Sequence, residues 1–117
     1  MNYQSYEDMA DVIRRNLWKI PADIDIVVGV PRSGMIAALM IAELLNKPCG
    51  YISGPGFVTV KSGGLRESMT HAGMAARRIL IVEDVVNTGN SIAQIKADFA
   101  GHADDWDIMF AAVYAEG

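Results

Sequence analysis

The sequence predicts a single α/β domain with a central parallel sheet flanked by helices, and three observations predict it. Two short apolar runs, Ile26-Val27-Val28-Gly29-Val30 and Ile79-Leu80-Ile81-Val82, have the length and β-branched content of strands buried on both faces. Each passes through a loop of small or hydroxyl-bearing residues into a helical pattern, so that strands and helices alternate as crossover-connected parallel strands require. The chain has 117 residues, 51% of them hydrophobic, which suits one small, well-filled core and leaves no room for a second domain.

The elements follow in order. Ser5-Tyr6-Glu7-Asp8 has the form of a capping box, and Met9, Val12, Ile13, Leu17 and Ile20 recur at helical spacing before Pro21. An amphipathic helix over residues 6 to 20, packed on the sheet, is expected. The strand at 26 to 30 leads through Pro31-Arg32-Ser33-Gly34 into a helix over residues 35 to 45. That helix is apolar on nearly every side apart from Glu43, so it should be largely buried between the sheet and an additional surface, for which a partner subunit is one candidate. Residues 49 to 53 form another strand, and Phe57-Val58-Thr59-Val60 a further short one. Gly54-Pro55-Gly56 and Lys61-Ser62-Gly63-Gly64 are breakers, and residues 66 to 74 carry only a weak helical rhythm. Beyond the run at 79 to 82, a helix from about Asn90 to Ala100 places Ile92, Ile95 and Phe99 on one face and stops at Gly101. Residues 107 to 115 make the last strand. No internal repeat or low-complexity segment is visible.

Composition narrows the function. The formal net charge is −4 and no long basic run exists, which argues against autonomous nucleic-acid binding; Arg14-Arg15 and Arg77-Arg78 read as solvated pairs. The first twenty residues are charged, unlike a signal peptide, and the apolar run at 35 to 45 is about half the roughly 20 residues a membrane helix needs. No membrane association and a cytoplasmic location are expected. Cys49 is the sole cysteine, which excludes an internal disulfide and suggests a buried thiol without chemistry of its own. No Cys/His cluster for zinc and no Gly-Lys-Ser/Thr phosphate loop occur. Gly54-Pro55-Gly56-Phe57 begins like a dinucleotide fingerprint but lacks the third glycine and runs into β-branched residues instead of a helix.

The chemistry concentrates between residues 79 and 91. An apolar strand ends in two acids, Glu83 and Asp84, which emerge together at its carboxyl end, where open α/β sheets place ligands, and both are expected to face a crevice. Paired acids at a buried strand end repel each other unless a ligand or cation separates their charges. The following turn, Asn87-Thr88-Gly89-Asn90-Ser91, offers backbone N–H groups, hydroxyls and a glycine that lets backbone approach an anion, at the start of a helix. A dianionic phosphate fits such a turn. The helix dipole contributes only about 0.3–1 kcal/mol to an anion, whereas hydrogen bonds to a charged group contribute about 1.5–3 kcal/mol each, so the directed donors dominate.

These residues resemble the signature of the type I phosphoribosyltransferases, in which hydrophobic residues precede two acids and a Thr-Gly-x-Ser/Thr phosphate loop. Val30-Pro31-Arg32-Ser33-Gly34 resembles the pyrophosphate loop of the same family. The resemblance covers roughly residues 25 to 115. It implies a type I phosphoribosyltransferase fold and transfer of a phosphoribosyl group from 5-phosphoribosyl 1-pyrophosphate (PRPP) to a nitrogen nucleophile, such as a nucleobase, with release of pyrophosphate. In that reading Glu83 and Asp84 face the ribose hydroxyls and stabilise developing positive charge. Asn87, Thr88, Gly89, Asn90 and Ser91 hold the 5-phosphate, and Pro31, Arg32, Ser33 and Gly34 hold the leaving group. Arg32 suits pyrophosphate because a guanidinium takes two phosphate oxygens at once. The implied catalytic residues are Glu83, Asp84 and Arg32. The implied cofactor is Mg²⁺, brought with PRPP and met only indirectly by Glu83 and Asp84, since Mg²⁺ prefers phosphates, water and one or two carboxylates.

Further implications concern the periphery. Residues 55 to 76 lie where the family has a flexible lid that shuts an oxocarbenium-like reacting centre away from water, with Lys61, Arg66 and His71 as candidate contacts. Asn87 stands where relatives acting on 6-oxopurines carry an aspartate. The hood that family members place over the acceptor is minimal or missing, so residues 1 to 117 are expected to be one domain of a longer polypeptide truncated at its carboxyl end, and the acceptor stays unidentified. A homodimer is also implied. The alternative is a noncatalytic PRPP-sensing or regulatory domain that keeps the binding motif.

Overall fold

The structure is a computed structural model, and it describes residues 2–3, 5–31, 34–55, 57–62, 65–69, 78–85, 90–100 and 106–115. Seven strands form one sheet in the order β1-β7-β6-β2-β3-β4-β5. These are β1 (Asn2–Tyr3), β2 (Ile26–Gly29), β3 (Cys49–Gly54), β4 (Phe57–Ser62), β5 (Leu65–Met69), β6 (Arg78–Val85) and β7 (Asp107–Ala115). The first five in that order, β1 to β3, are mutually parallel, and β4 and β5 add an antiparallel extension. The expected parallel sheet flanked by helices is therefore present, extended at one edge by an antiparallel pair of which β4 alone runs against the other strands.

Helix α1 (Tyr6–Asn16) starts where the capping motif requires: the Asp8 amide donates to Ser5 Oγ at 3.2 Å. Glu7 and Asp8 occupy its first turn and Arg14 and Arg15 its last, each favourable to the helix dipole. The helix ends earlier than its hydrophobic spacing suggests, and a 3₁₀ turn over Leu17–Lys19 carries the chain to Ile20. Helix α2 (Gly34–Leu45) ends with Asn46 in the left-handed region, φ 55°, and the Lys47 amide returns to the Ala42 carbonyl at 2.9 Å. Asparagine tolerates that conformation better than most non-glycine residues, which explains a stop that no glycine marks.

Helices cover both faces of the sheet. On one, Met9 and Ile13 of α1 and Ala37, Ala38, Ile41 and Ala42 of α2 pack with Val27, Leu80, Val82 and Val113. On the other, Ile95 of α3 (Asn90–Asp98) and the following Phe99 pack with Ile26, Val28, Ile79, Ile81 and Trp106. All four residues of β2 are buried, as are Ile79 through Glu83 of β6, which sits between β2 and β7. Full burial of each large aliphatic side chain contributes about 1.5–3 kcal/mol, so these two strands form the most firmly held part of the domain. The site motifs grow from their ends.

The structure corrects one expectation, at residues 65 to 69, and adds detail to two others. The inner face of helix α2 is buried, and Ile36, Leu39 and Leu44 are 37%, 52% and 41% exposed on this single chain, where an additional surface is expected. Residues 65 to 69, read as part of a weak helical rhythm, form a strand paired with β4, Lys61 opposite Arg66. The ladder overrides local preference, as is common for short segments. The segment expected to act as a lid thus contains the β4–β5 pair, and β4 is anchored by buried Val58, Thr59 and Val60. Residues 63, 64 and 70 to 76, with His71, lie outside the described residues.

At the opposite end of the sheet from the site motifs, Arg78 ties three segments together. Its guanidinium contacts Asp23 and, through Nε at 3.0 Å, Asp107. Its amide donates to Asp25 Oδ2 at 2.8 Å, and the Asp25 amide donates back to the Arg78 carbonyl at 2.9 Å. Hydrogen bonding from Arg78 holds the Asp23 carboxyl below its ordinary range. A depressed folded-state value stabilises the native state above the unfolded-state value and is lost as pH falls through the folded one. The melting temperature of Arg78→Ala should accordingly lie below that of the wild type at pH 7, and the gap should shrink as pH drops below about 4, near the unperturbed aspartate value. Thermal melts at both pH values check this; a gap that is constant or grows in acid would contradict it.

Candidate active site

Two strand ends define the site. Strands β2 and β6 are parallel neighbours with Gly29 opposite Val82, so the chain leaves both in the same direction, side by side. Beyond β2 come Val30, Pro31, the residues 32 and 33, and Gly34 at the start of α2; beyond Val82 come Glu83 and Asp84. The two lengths of chain are joined directly: the Val30 amide donates to the Val82 carbonyl at 2.9 Å. The structure thus brings together two motifs that lie about fifty residues apart in the chain, at the carboxyl edge where parallel sheets bind ligands.

Glu83 is 7% exposed, one of the few buried polar side chains among the described residues. Burying a carboxylate is costly, and cores normally fill such a place with an apolar side chain, so this acid marks a site of chemistry more than one of packing. The strand does not stop at Val82 as the apolar run suggests. It continues to Val85, with Glu83 opposite Ala112, Asp84 opposite Val113 and Val85 opposite Tyr114 of β7. Glu83 and Asp84 are therefore consecutive strand residues, and successive strand positions alternate between the two faces of a sheet. Position 83 shares the parity of Ile79 and Ile81, position 84 that of Leu80 and Val82. The two acids occupy positions of opposite parity at the same strand end.

The remaining predicted residues fall as follows. Pro31 is exposed and Gly34 is buried as the first residue of α2. Asn90 and Ser91 are the first two residues of α3, so the turn after β6 does open a helix. Arg32, Ser33, Asn87, Thr88 and Gly89 lie outside the described residues. Among the described residues no group of three or more His, Cys, Asp or Glu side chains is placed to hold a metal ion. A pair of acids nevertheless fits Mg²⁺ that arrives carrying phosphate oxygens, because such an ion takes only one or two carboxylates from protein. Sequence reasoning did not single out Gly29 or the Val82 carbonyl; a glycine closing an otherwise β-branched strand is the available signal, since it marks close approach of another backbone.

Cys49 takes no part. It is partly buried at the start of β3, and burial pushes its thiol above the ordinary range, which keeps it protonated and unreactive. A cavity of about 290 Å³ lined by Lys96, Phe99, Trp106 and Phe110 lies at the amino-terminal half of β7. No helix among the described residues is long and apolar enough to cross a membrane.

Residues 2–102 match the sequence model of the phosphoribosyl transferase domain. Among curated relatives, the transcriptional regulator GfcR 2 of Methanosarcina barkeri is 33% identical over 87 residues, covering 74% of this chain and 43% of that protein. The orotate phosphoribosyltransferase of Sulfurisphaera tokodaii is 31% identical over 90 residues, covering 76% of this chain and 44% of the enzyme. The chain therefore spans less than half the length of either. The crystal structure of orotate phosphoribosyltransferase from Aeropyrum pernix superposes with a TM-score of 0.63 at 24% identity, over 96% of this chain and 59% of that one. That of the Helicobacter pylori xanthine-guanine-hypoxanthine phosphoribosyltransferase gives the same TM-score at 13% identity, which is likeness of fold alone.

Proposed function

The chain belongs to the phosphoribosyl transferase domain family, and from that premise we propose that it transfers a phosphoribosyl group from Mg²⁺-bound PRPP to a nitrogen nucleophile, releasing pyrophosphate. The observation that supports this reading is the junction of the β2 and β6 ends, where the Val30 amide meets the Val82 carbonyl next to buried Glu83. In the proposed complex Asn87, Thr88, Gly89, Asn90 and Ser91 hold the 5-phosphate, with the start of α3 adding its positive end. Glu83 and Asp84 orient the ribose and stabilise positive charge as the C1–O bond to pyrophosphate lengthens. Pro31, Arg32 and Ser33 receive the departing pyrophosphate, beside Gly34 at the start of α2. Mg²⁺ would neutralise charge on the pyrophosphate oxygens. No residue forms a covalent bond; orientation and fixed electrostatics lower the barrier.

Closure over the reacting centre falls to β5 and the residues beyond it, since β4 is anchored in the core while β5 is the terminal strand of the sheet with one neighbour. A strand held on one side opens at lower cost. Arg66 and His71 are the contacts this segment would offer to pyrophosphate, with Lys61, opposite Arg66, contributing from β4. A homodimer that covers exposed Ile36, Leu39 and Leu44 belongs to the same proposal.

A second reading has a specific basis: a relative at 33% identity is named as a transcriptional regulator. In that case the same site would bind PRPP as a signal without turnover. Pyrophosphate release from PRPP and Mg²⁺ is the deciding assay, with orotate as first acceptor because several relatives are orotate phosphoribosyltransferases, followed by adenine and simple amines. Turnover with any of them supports the transferase; PRPP binding without release across the panel supports the sensor.

A further inference from the structure

The pyrophosphate and ribose loops of the proposed site grow from different strands, and their separation is set where α2 begins. Gly34 is buried there, and a Cβ placed on it would lie 2.7 Å from the Val82 carbonyl oxygen, 3.4 Å from Glu83 Cα and 3.4 Å from Val30 Cβ. The carbonyl is not free to swing aside, because it already accepts the Val30 amide at 2.9 Å and belongs to a strand paired on both sides. Gly29 works from the strand side: a Cβ on it would lie 2.9 Å from Met35 Cα and 3.0 Å from the Gly34 carbonyl oxygen. Two glycines thus let the first turn of α2 sit directly on the ends of β2 and β6.

We infer that Gly34 is a positioning residue: its missing side chain fixes how closely the start of α2 sits on the end of β6 at Val82 and Glu83, and so selects ligands that engage both strand ends at once. The inference rests on the phosphoribosyl transfer reading and deepens it, since it reassigns Gly34 from ligand contact to spacer. Any side chain at 34 would lift the α2 start away from β6 while leaving each loop its own donors. A ligand that touches one loop is indifferent to such a shift. PRPP, which carries a ribose 5-phosphate at one end and pyrophosphate at the other, is not.

The test is Gly34→Ala, assayed by calorimetry with PRPP, ribose 5-phosphate and inorganic pyrophosphate, each with Mg²⁺. PRPP affinity should fall by about tenfold or more, as when one hydrogen bond to a charged group is lost, while the two half-ligands bind as they do to wild type. In parallel, the Val30 amide should exchange hydrogen faster than in wild type, with the amides of Val27 and Val28 still protected. Equal losses for all three ligands, undiminished PRPP affinity, or a variant that no longer folds would each overturn the positioning role, the last because Gly34 would then be a requirement of the core. Wild-type protein that ignores PRPP would instead defeat the phosphoribosyl reading. Exchange at Val30 would then decide the inference alone: acceleration upholds the seat of α2 on β6, and no change overturns it.

Discussion

With hypoxanthine, guanine or xanthine as acceptor, PRPP-dependent pyrophosphate release should stay below a kcat/KM of about 10⁴ M⁻¹s⁻¹, the low end of ordinary enzyme efficiency. The reason is one residue. Relatives that act on 6-oxopurines carry an aspartate beside the purine ring nitrogen where this chain has Asn87. A carboxylate can exchange a proton with that nitrogen as the new bond forms, whereas a carboxamide does not titrate and offers only fixed hydrogen bonds. A positioned acid or base contributes about 10²–10⁴ in rate, so its absence weighs on the chemical step more than on PRPP binding. Likeness of fold to the Helicobacter pylori enzyme does not alter this, because the fold is shared by enzymes of several acceptors. Steady-state pyrophosphate release with each purine checks the prediction, and efficient turnover of any of the three would show that Asn87 does not limit acceptor choice.

The second large effect falls on PRPP itself. At the proposed site Thr88→Val would remove a hydroxyl donor to a charged phosphate and should cost about 1–3 kcal/mol, or roughly 5- to 150-fold in affinity. Asp84→Asn keeps the size of the side chain but removes a charge that a ribose diol and a nearby Mg²⁺ would both favour, and should weaken PRPP to a similar degree in the presence of Mg²⁺. Asp84 follows buried Glu83 in a strand paired through Val85, so the substitution leaves the ladder intact. Melting temperature therefore serves as the control: affinity should drop with little change in stability. Unchanged PRPP affinity in both variants would end the assignment of this segment.

Much of this arrangement is legible in the chain before any coordinates. Short, β-branched apolar runs such as residues 26 to 29 and 79 to 82 read as strands buried on both faces, and a glycine- or hydroxyl-rich turn after each announces a crossover helix. The candidate site motifs sit directly after those runs. What local pattern could not show is set by pairing over distance. Strand β1 has two residues and exists only through Tyr114 and Ala115. Strand β5 has a helical rhythm but takes its form from β4. The acids seemed to leave the sheet at Val82 because apolarity stops there, yet β7 holds β6 in register to Val85. Hydrophobicity marks where a strand is buried, and only its neighbour decides where it ends. Helix α2 illustrates the complementary limit, since apolar composition announces a hydrophobic face without naming what covers Ile36, Leu39 and Leu44.

The central claim is that the ends of β2 and β6 form one PRPP site, and calorimetric titration of the wild-type chain with PRPP, with and without Mg²⁺, tests it most directly. The account predicts saturable binding at one site per chain, tighter with Mg²⁺ than without it, and competition by both ribose 5-phosphate and pyrophosphate. Absence of binding under both conditions, or binding that only one of the two half-ligands displaces, would contradict it.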